Sequence, residues 1–350
     1  MLGLSGGYLR RNAPGCKGCG ICCFGCPSGA KTSMERSFLP MAVEKGLRVY
    51  TQARLERLHL EGARVKAVTV CPAGEPESSG VLVKVKTLVL SGGAIFSPLL
   101  LLNQGGGFRK MKAIGRHLRV HPATKVLGDF DEPIVPFKGV PQAYYVDSLK
   151  HDGIMLEGVS MPPDVGSAAV PFFGKAHAEL MACYNHLAAF GVMVSDTSLG
   201  RVVRMGNKRF LLWYNLNRTD TERFKDGIVL AARVYLAAGA KRVFLPTRPT
   251  IEVRSEGDVE RFRSTKLKPR NLELAAFHPM GTLRMGADPK TSVVDDHLKV
   301  HGLANLFVCD ASIFPSSLGV NPQISIMAFG FRLADDLARE YGLPTKGSGV

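Results

Sequence analysis

Residues 278–286 read His278-Pro279-Met280-Gly281-Thr282-Leu283-Arg284-Met285-Gly286, and three further segments follow: Val293-Val294-Asp295, then Asn305-Leu306-Phe307-Val308-Cys309-Asp310-Ala311-Ser312, then Gly319-Val320-Asn321-Pro322. An imidazole, a carboxylate closing an apolar strand and an amide before a proline are groups that proton transfer and polar-ligand binding use. Histidine titrates at about 6.5 when unperturbed, which makes His278 a candidate general base. Pro279 and Gly281 restrict and turn the backbone beside it, and so aim the ring. The segment from Pro322 to about Glu340 has the apolar spacing of an amphipathic helix.

Toward the N-terminus, Leu88-Val89-Leu90 is a continuous apolar strand running into Ser91-Gly92-Gly93-Ala94. Ser97-Pro98 then reads as a helix start, with Ser as N-cap and Pro at the first helical position. Strand, glycine turn and helix is the arrangement by which a doubly wound sheet offers backbone to a nucleotide. Residues 37–45 have helical spacing and 48–53 read as a short strand. Residues 55–60, 65–71 and 81–85 read as a three-stranded meander. From about 131 to 270 the rhythm changes: 155–159, 192–195, 200–205 and 210–215 look like antiparallel strands, and 219–238 like a long amphipathic helix capped by Thr219 or Asp220.

The elements HPMGT, VCDAS and GVNP, in that order, resemble the glucose-methanol-choline (GMC) oxidoreductases, and among them the cholesterol-oxidase and long-chain-alcohol-oxidase branch. The resemblance covers essentially the whole chain. It implies an FAD-dependent oxidoreductase acting on the CH–OH group of an alcohol, with hydride passing to flavin N5 and His278 taking the hydroxyl proton. It further implies that Asn321 shares the substrate hydroxyl with His278, that Asp310 holds ribityl or ribose hydroxyls, and that the backbone at Leu55 faces the adenine. The fold class expected is α/β with an α+β part. An incomplete, Rossmann-like FAD-binding domain would occupy 1–130, with a Cys-rich loop at 15–31 and the meander at 55–86. An antiparallel-sheet substrate-binding domain would occupy 131–270, and 271–345 would return to the FAD-binding domain.

Chemistry supports these assignments side chain by side chain. An amide donates and accepts at any pH, so Asn321 can orient an alcohol without competing for its proton. An Asn before Pro322 at a helix start is also a good N-cap, and both readings stand. The positive end of the helix starting near Pro322 suits the negative charge of a reduced flavin. Gly92 and Gly93 let a nucleotide approach the backbone. Met155, Leu156, Met161, Phe172, Phe173, Met181 and Phe190 suit an apolar pocket for a sterol or long-chain alcohol, although such residues are also ordinary core. Oxygen, a quinone and a protein all remain open as electron acceptor.

One departure from the family pattern matters. Members carry a strand, a G-x-G-x-x-G turn and a helix for the FAD pyrophosphate, and this sequence has none; Gly3, Gly6 and Gly7 lack the spacing. The chain is therefore expected to start part-way through the pattern, to need an N-terminal FAD-binding half or self-association, and by itself to hold FAD weakly.

The chain has 350 residues, 45% of them hydrophobic, with 38 Gly and 21 Pro, enough for two packed domains. A formal charge of +15 raises nucleic-acid binding. The basic excesses at 10–17, 109–119, 201–209 and 261–270 lack the interleaved aromatics such binding uses, so a solvated basic surface is expected, and an anionic membrane remains the other outlet for the charge. No apolar run has the length of a span or the flanks of a signal peptide, so nothing marks the chain for export, and the close spacing of its cysteines points to a reducing, cytoplasmic setting. Five of eight cysteines crowd into 16–26. Cys16, Cys19, Cys22 and Cys26, followed by Pro27, have the spacing of a bacterial ferredoxin run, so a 4Fe–4S electron carrier is the rival reading. Against it, Cys71, Cys183 and Cys309 are isolated and supply no second run.

Overall fold

The computed structural model describes residues 3–206 and 209–344. In chain order the first elements are β1 (Gly6–Tyr8), α1 (Phe38–Glu44), β2 (Ala53–Glu61), β3 (Arg64–Pro72), β4 (Val81–Lys84), β5 (Leu88–Leu90), α2 (Gly93–Gln104) and α3 (Gly106–Lys110). There follow β6 (Arg116–Leu118), β7 (Pro122–Asp129), β8 (Tyr144–Val146), β9 (Ile154–Val159), α4 (Pro163–Gly166), α5 (Gly174–Ala182) and β10 (Leu187–Val194). The rest are β11 (Gly200–Arg204), β12 (Phe210–Trp213), α6 (Arg218–Ala237), β13 (Arg242–Leu245), β14 (Ile251–Val253), α7 (Glu256–Ser264), β15 (Ala275–Ala276), β16 (Leu306–Val308) and α8 (Gln323–Glu340).

The chain forms two compact units, each assembled from three segments. One comprises 1–49, 122–195 and 217–275. Its sheet runs β1-β8-β9-β10-β7-β13-β14, with every neighbouring pair antiparallel. Helix α6 lies on this sheet and buries Phe224, Ile228, Ala231 and Ala232 completely. It starts one residue earlier than its spacing suggests. The cap is Asn217, whose side chain accepts from the Asp220 N–H at 2.8 Å, while Thr219 and Asp220 sit inside the first turn.

The other unit comprises 50–121, 196–216 and 276–350. The meander β2-β3-β4 forms as read, but the strand expected at 48–53 does not: Gln52 takes a left-handed φ of 55°, which breaks the extension, and β2 begins only at Ala53. The parallel part of the fold is the pair β5 and β16, in register Leu88↔Leu306 to Leu90↔Val308. A second antiparallel sheet has the order β12-β11-β6. The core of this unit holds Met280, Leu283, Val293, Val294, Leu306 and Val308, none of which exposes any side chain. The segments that carry the polar motif residues are therefore pinned by their apolar neighbours.

Helix α2 shows why sequence rules misplace its start. It begins at Gly93, so Pro98 lies inside it. A proline there has no N–H for the carbonyl four residues back, which is that of Ala94. The buried Thr282 hydroxyl donates to that carbonyl at 2.6 Å, so a side chain from the HPMGT segment replaces the missing helical bond. Ser97, read as an N-cap, instead accepts from the Gly92 N–H and donates to Asp310.

Candidate active site

His278 and Asn321 meet. The Asn321 amide Nδ2 lies 3.4 Å from His278 Nε2, and the His278 Nδ1 is buried with no protein partner. Burial lowers the His278 pKa from its ordinary value, so the ring is neutral at physiological pH and able to accept a proton. Asn321 spends its side chain on this contact and does not cap α8; Pro322 takes the cap position with helical φ and ψ, and its carbonyl accepts from the Ile326 N–H. The helix N-terminus expected near Pro322 is thus beside Asn321.

The HPMGT segment is fixed from two sides. Met280 and Arg119 exchange backbone hydrogen bonds at 2.8 and 3.0 Å, and Leu283 and Met285 donate to Ser312 and Ile313. Gly281, at φ 87°, is the one residue that fits there: a Cβ would lie 2.5 Å from the His117 carbonyl oxygen.

A second histidine, which the motif reading missed, stands beside His278. The His121 ring centroid is 5.5 Å from that of His278, and neither of its nitrogens has a protein partner. Burial, reinforced by the His278 charge, depresses the His121 pKa to about 4. His121 also holds a left-handed φ of 44°, the kind of backbone strain that persists where surrounding structure imposes it. Asp196 imposes it here: its buried carboxylate accepts from the Val120 and His121 N–H groups and from the Tyr214 hydroxyl. Burial raises the Asp196 pKa against these hydrogen bonds. The sequence signal was available, since His121-Pro122 repeats the His278-Pro279 pair.

Asp310 stands two residues beyond the end of β16 and caps the turn that follows, with its carboxylate turned inward. Oδ2 accepts from the Gly93 N–H and Ser97 hydroxyl, and Oδ1 from the Ser312 N–H and hydroxyl, at 2.5–2.8 Å. Four donors fill the acceptor positions of a carboxylate, so no lone pair is left for a ribityl hydroxyl. What Asp310 holds is the Gly92–Gly93 turn. Gly93 has φ 77° and open space where a Cβ would sit, so a flat ligand can approach the N-terminus of α2. Leu55 sits in β2 opposite Val70, at a bulge in the ladder, with its side chain on the unit's core. The open glycine turn, the partnerless His121 nitrogens and the partnerless His278 Nδ1 fit a polar, ring-bearing cofactor such as FAD. A glycine-rich pyrophosphate turn is not in the sequence.

Two sequence expectations are corrected. Two cysteines of the 16–26 loop turn to local partners: Cys16 Sγ accepts from the Gly18 N–H, and Cys26 Sγ accepts from the Lys31 N–H and pairs with Ser28. Among the described residues no three His, Cys, Asp or Glu side chains converge on a point a metal could occupy, so the structure lends the cluster reading of Cys16, Cys19, Cys22 and Cys26 no support. The residues read as an apolar pocket do not line one cavity either. Leu156 is fully buried core, Phe172 and Met181 pack on Leu127 and Leu180, and Phe173 is exposed. Met161 lines a cavity of about 50 Å³, too small for a sterol.

Two models of the GMC oxidoreductase family match residues 1–123 and 205–330, most of the chain. The chain belongs to the GMC oxidoreductase family. A GMC-type oxidoreductase of Mycobacterium tuberculosis is 35% identical over 339 residues, covering 95% of this chain and 52% of the relative. A long-chain-alcohol oxidase of Arabidopsis thaliana is 28% identical over 370 residues, covering 96% of this chain and 48% of that protein. This GMC chain thus spans about half the length of the curated relatives it matches. Among solved structures, pyridoxine 4-oxidase from Mesorbium loti superposes with a TM-score of 0.65 at 24% identity over 90% of this chain and 62% of that one. A formate oxidase of Aspergillus oryzae gives 0.58 at 19% over 83% and 60%. These likenesses establish the GMC fold of mixed helices and antiparallel sheets.

Proposed function

We propose that this GMC chain carries the proton-abstracting part of an FAD-dependent oxidoreductase acting on the CH–OH group of an apolar, long-chain alcohol. The observation that carries the reading is the His278–Asn321 pair, 3.4 Å apart with His278 held neutral by burial. His278 Nε2 takes the hydroxyl proton. Asn321 orients the alcohol oxygen and, being uncharged, leaves the proton to the histidine. FAD, when bound, supplies the hydride acceptor. The Gly92–Gly93 turn and the N-terminus of α2 would hold it, with Asp310 as the positioning residue beneath the turn and the α8 N-terminus at Pro322 favouring negative charge. The long-chain alcohol rests on the Arabidopsis relative's name and on the family.

The reading also requires a pyrophosphate-binding turn from outside these residues, either an N-terminal FAD-binding half or another chain, so FAD retention by residues 1–350 alone should be weak. The test is anaerobic mixing of the chain and saturating FAD with a long-chain alcohol, following loss of the flavin's blue absorbance. His278→Ala should slow bleaching by about 10²–10⁴-fold with flavin binding unchanged. The wild-type rate should rise with pH and level off, with a midpoint below the ordinary histidine value. Bleaching at the wild-type rate in His278→Ala refutes the assignment.

A further inference from the structure

Two of the basic runs in the sequence find no use in the chemistry above. Residues 78–128 and 197–219 contain no Asp or Glu at all. The fold brings them together, because β11 pairs with β6 and β12 and packs on α2. Where they meet is a cleft of about 300 Å³, lined by Arg109, Arg116, Arg201 and Arg204 over Leu102 and Ile114. Arg204 donates to the Asn103 side-chain oxygen at 2.5 Å, and the Arg201 guanidinium lies 5.1 Å over the Trp213 ring. Among the described residues none of the four arginines has a carboxylate within ion-pair distance. Four like charges held close without counter-charge repel one another, and an anion brought to the cleft relieves that repulsion.

The rim of the cleft is apolar. Edge strand β12 is exposed along its whole length, with Leu211 at 49%, Leu212 at 45% and Trp213 at 45%, and neighbouring Met205 at 59%. Register places Trp213 opposite Arg201 and Phe210 opposite Arg204, with the apolar pairs Val202–Leu212 and Val203–Leu211 between them, so each arginine is paired with apolar surface. No helix among the described residues is long and apolar enough to cross a membrane.

We infer that this face docks on the surface of an anionic phospholipid bilayer, the arginine cleft taking lipid phosphates while Leu211, Trp213 and Met205 enter the headgroup boundary. A soluble phosphate would gain nothing from the apolar rim. A second copy would bring the same four unpaired arginines against these. A nucleic acid would need rings free to stack on bases, and the two rings of β12 are engaged, Trp213 under the Arg201 guanidinium and Phe210 edge-on against Phe96.

The experiment is co-sedimentation of the full chain with phosphatidylcholine vesicles, with and without phosphatidylglycerol, and its readout does not involve flavin. Binding should need phosphatidylglycerol and fall with added salt. Arg116→Gln and Arg201→Gln should each weaken it about fivefold, as expected for about 1 kcal/mol per charge near an anionic surface. Lys268→Gln and Arg270→Gln remove equal charge from a different basic run and should change it less than about twofold. Leu211→Ser with Trp213→Ser should weaken binding at every salt concentration, with thermal melts confirming that the variants fold. Equal binding to neutral vesicles, equal losses in the control pair, or displacement by glycerol phosphate at concentrations matching the lipid phosphate would each overturn the proposal. So would a serine pair that binds like wild type.

Discussion

Thr282→Val removes the hydroxyl that serves the Ala94 carbonyl and keeps the side-chain volume. Both groups are buried, with Thr282 fully inaccessible and Ala94 at 3%, so water cannot replace the lost donor. An orphaned buried acceptor costs about 1–3 kcal/mol, and that is the expected loss of folding stability. The structure makes a sharper forecast. Ala94 lacks a helical donor only because Pro98 stands four residues on. In a Pro98→Ala background the residue-98 N–H can donate to the same carbonyl, and Thr282→Val should then cost little. Urea unfolding of wild type, the two single variants and the double variant gives the coupling directly. The expected value is about 1–2 kcal/mol, with the double variant more stable than the sum of the singles. Additivity within about 0.5 kcal/mol would show that the hydroxyl does not substitute for the proline's missing donor.

Two other expectations concern the same unit. The His121 pKa is depressed from 6.5 to about 4 in the folded protein. A depressed value contributes stability present above the unfolded pKa and lost as pH falls through the folded one, so about 3 kcal/mol should disappear between pH 6.5 and 4; equilibrium unfolding across that window should show a shallower slope in His121→Gln, and an unchanged slope would refute the burial argument. Gly281→Ala must place a Cβ 2.5 Å from the His117 carbonyl at φ 87°, and should cost about 3 kcal/mol or more in urea unfolding; a loss below about 1 kcal/mol would contradict the packing.

Much of this was readable from residue order alone. His278 and Asn321 lie in short segments whose flanking prolines and glycines constrain the backbone, and the folded chain brings the two side chains together. The meander and α8 were legible because their apolar periods match the surfaces they bury. What escaped was tertiary. The start of α2 was misplaced because Thr282, from a remote segment, makes a mid-helix proline tolerable. His121 went unnoticed although His121-Pro122 repeats the His278-Pro279 pair, because the burial and the Asp196 contacts that set it apart come from residues remote in sequence. The cysteine run matched the spelling of a cluster motif, but spelling does not specify that the sulfurs point to one centre. Asp310 stands just past the end of β16, close to where its strand was read to close, yet only the fold reveals that its lone pairs are all taken.

The position of Asp310 has a further consequence, for the order in which the site can assemble. Its bond to Gly93 spans 217 residues, and the Thr282 bond to Ala94 spans 188. Contacts of such sequence separation incur their loop-closure entropy before they return any stability, and they form late in folding. The glycine turn beside β5 therefore has no anchor until the segment around β16 arrives. Throughout synthesis up to that point, Leu88-Val89-Leu90 is an apolar strand without its parallel neighbour, the state in which a strand edge pairs with other chains. Aggregation of this protein should thus be governed by how quickly residues 306–308 reach 88–90, and a chaperone that shields the early strand should raise the yield of folded chain more than one acting after release.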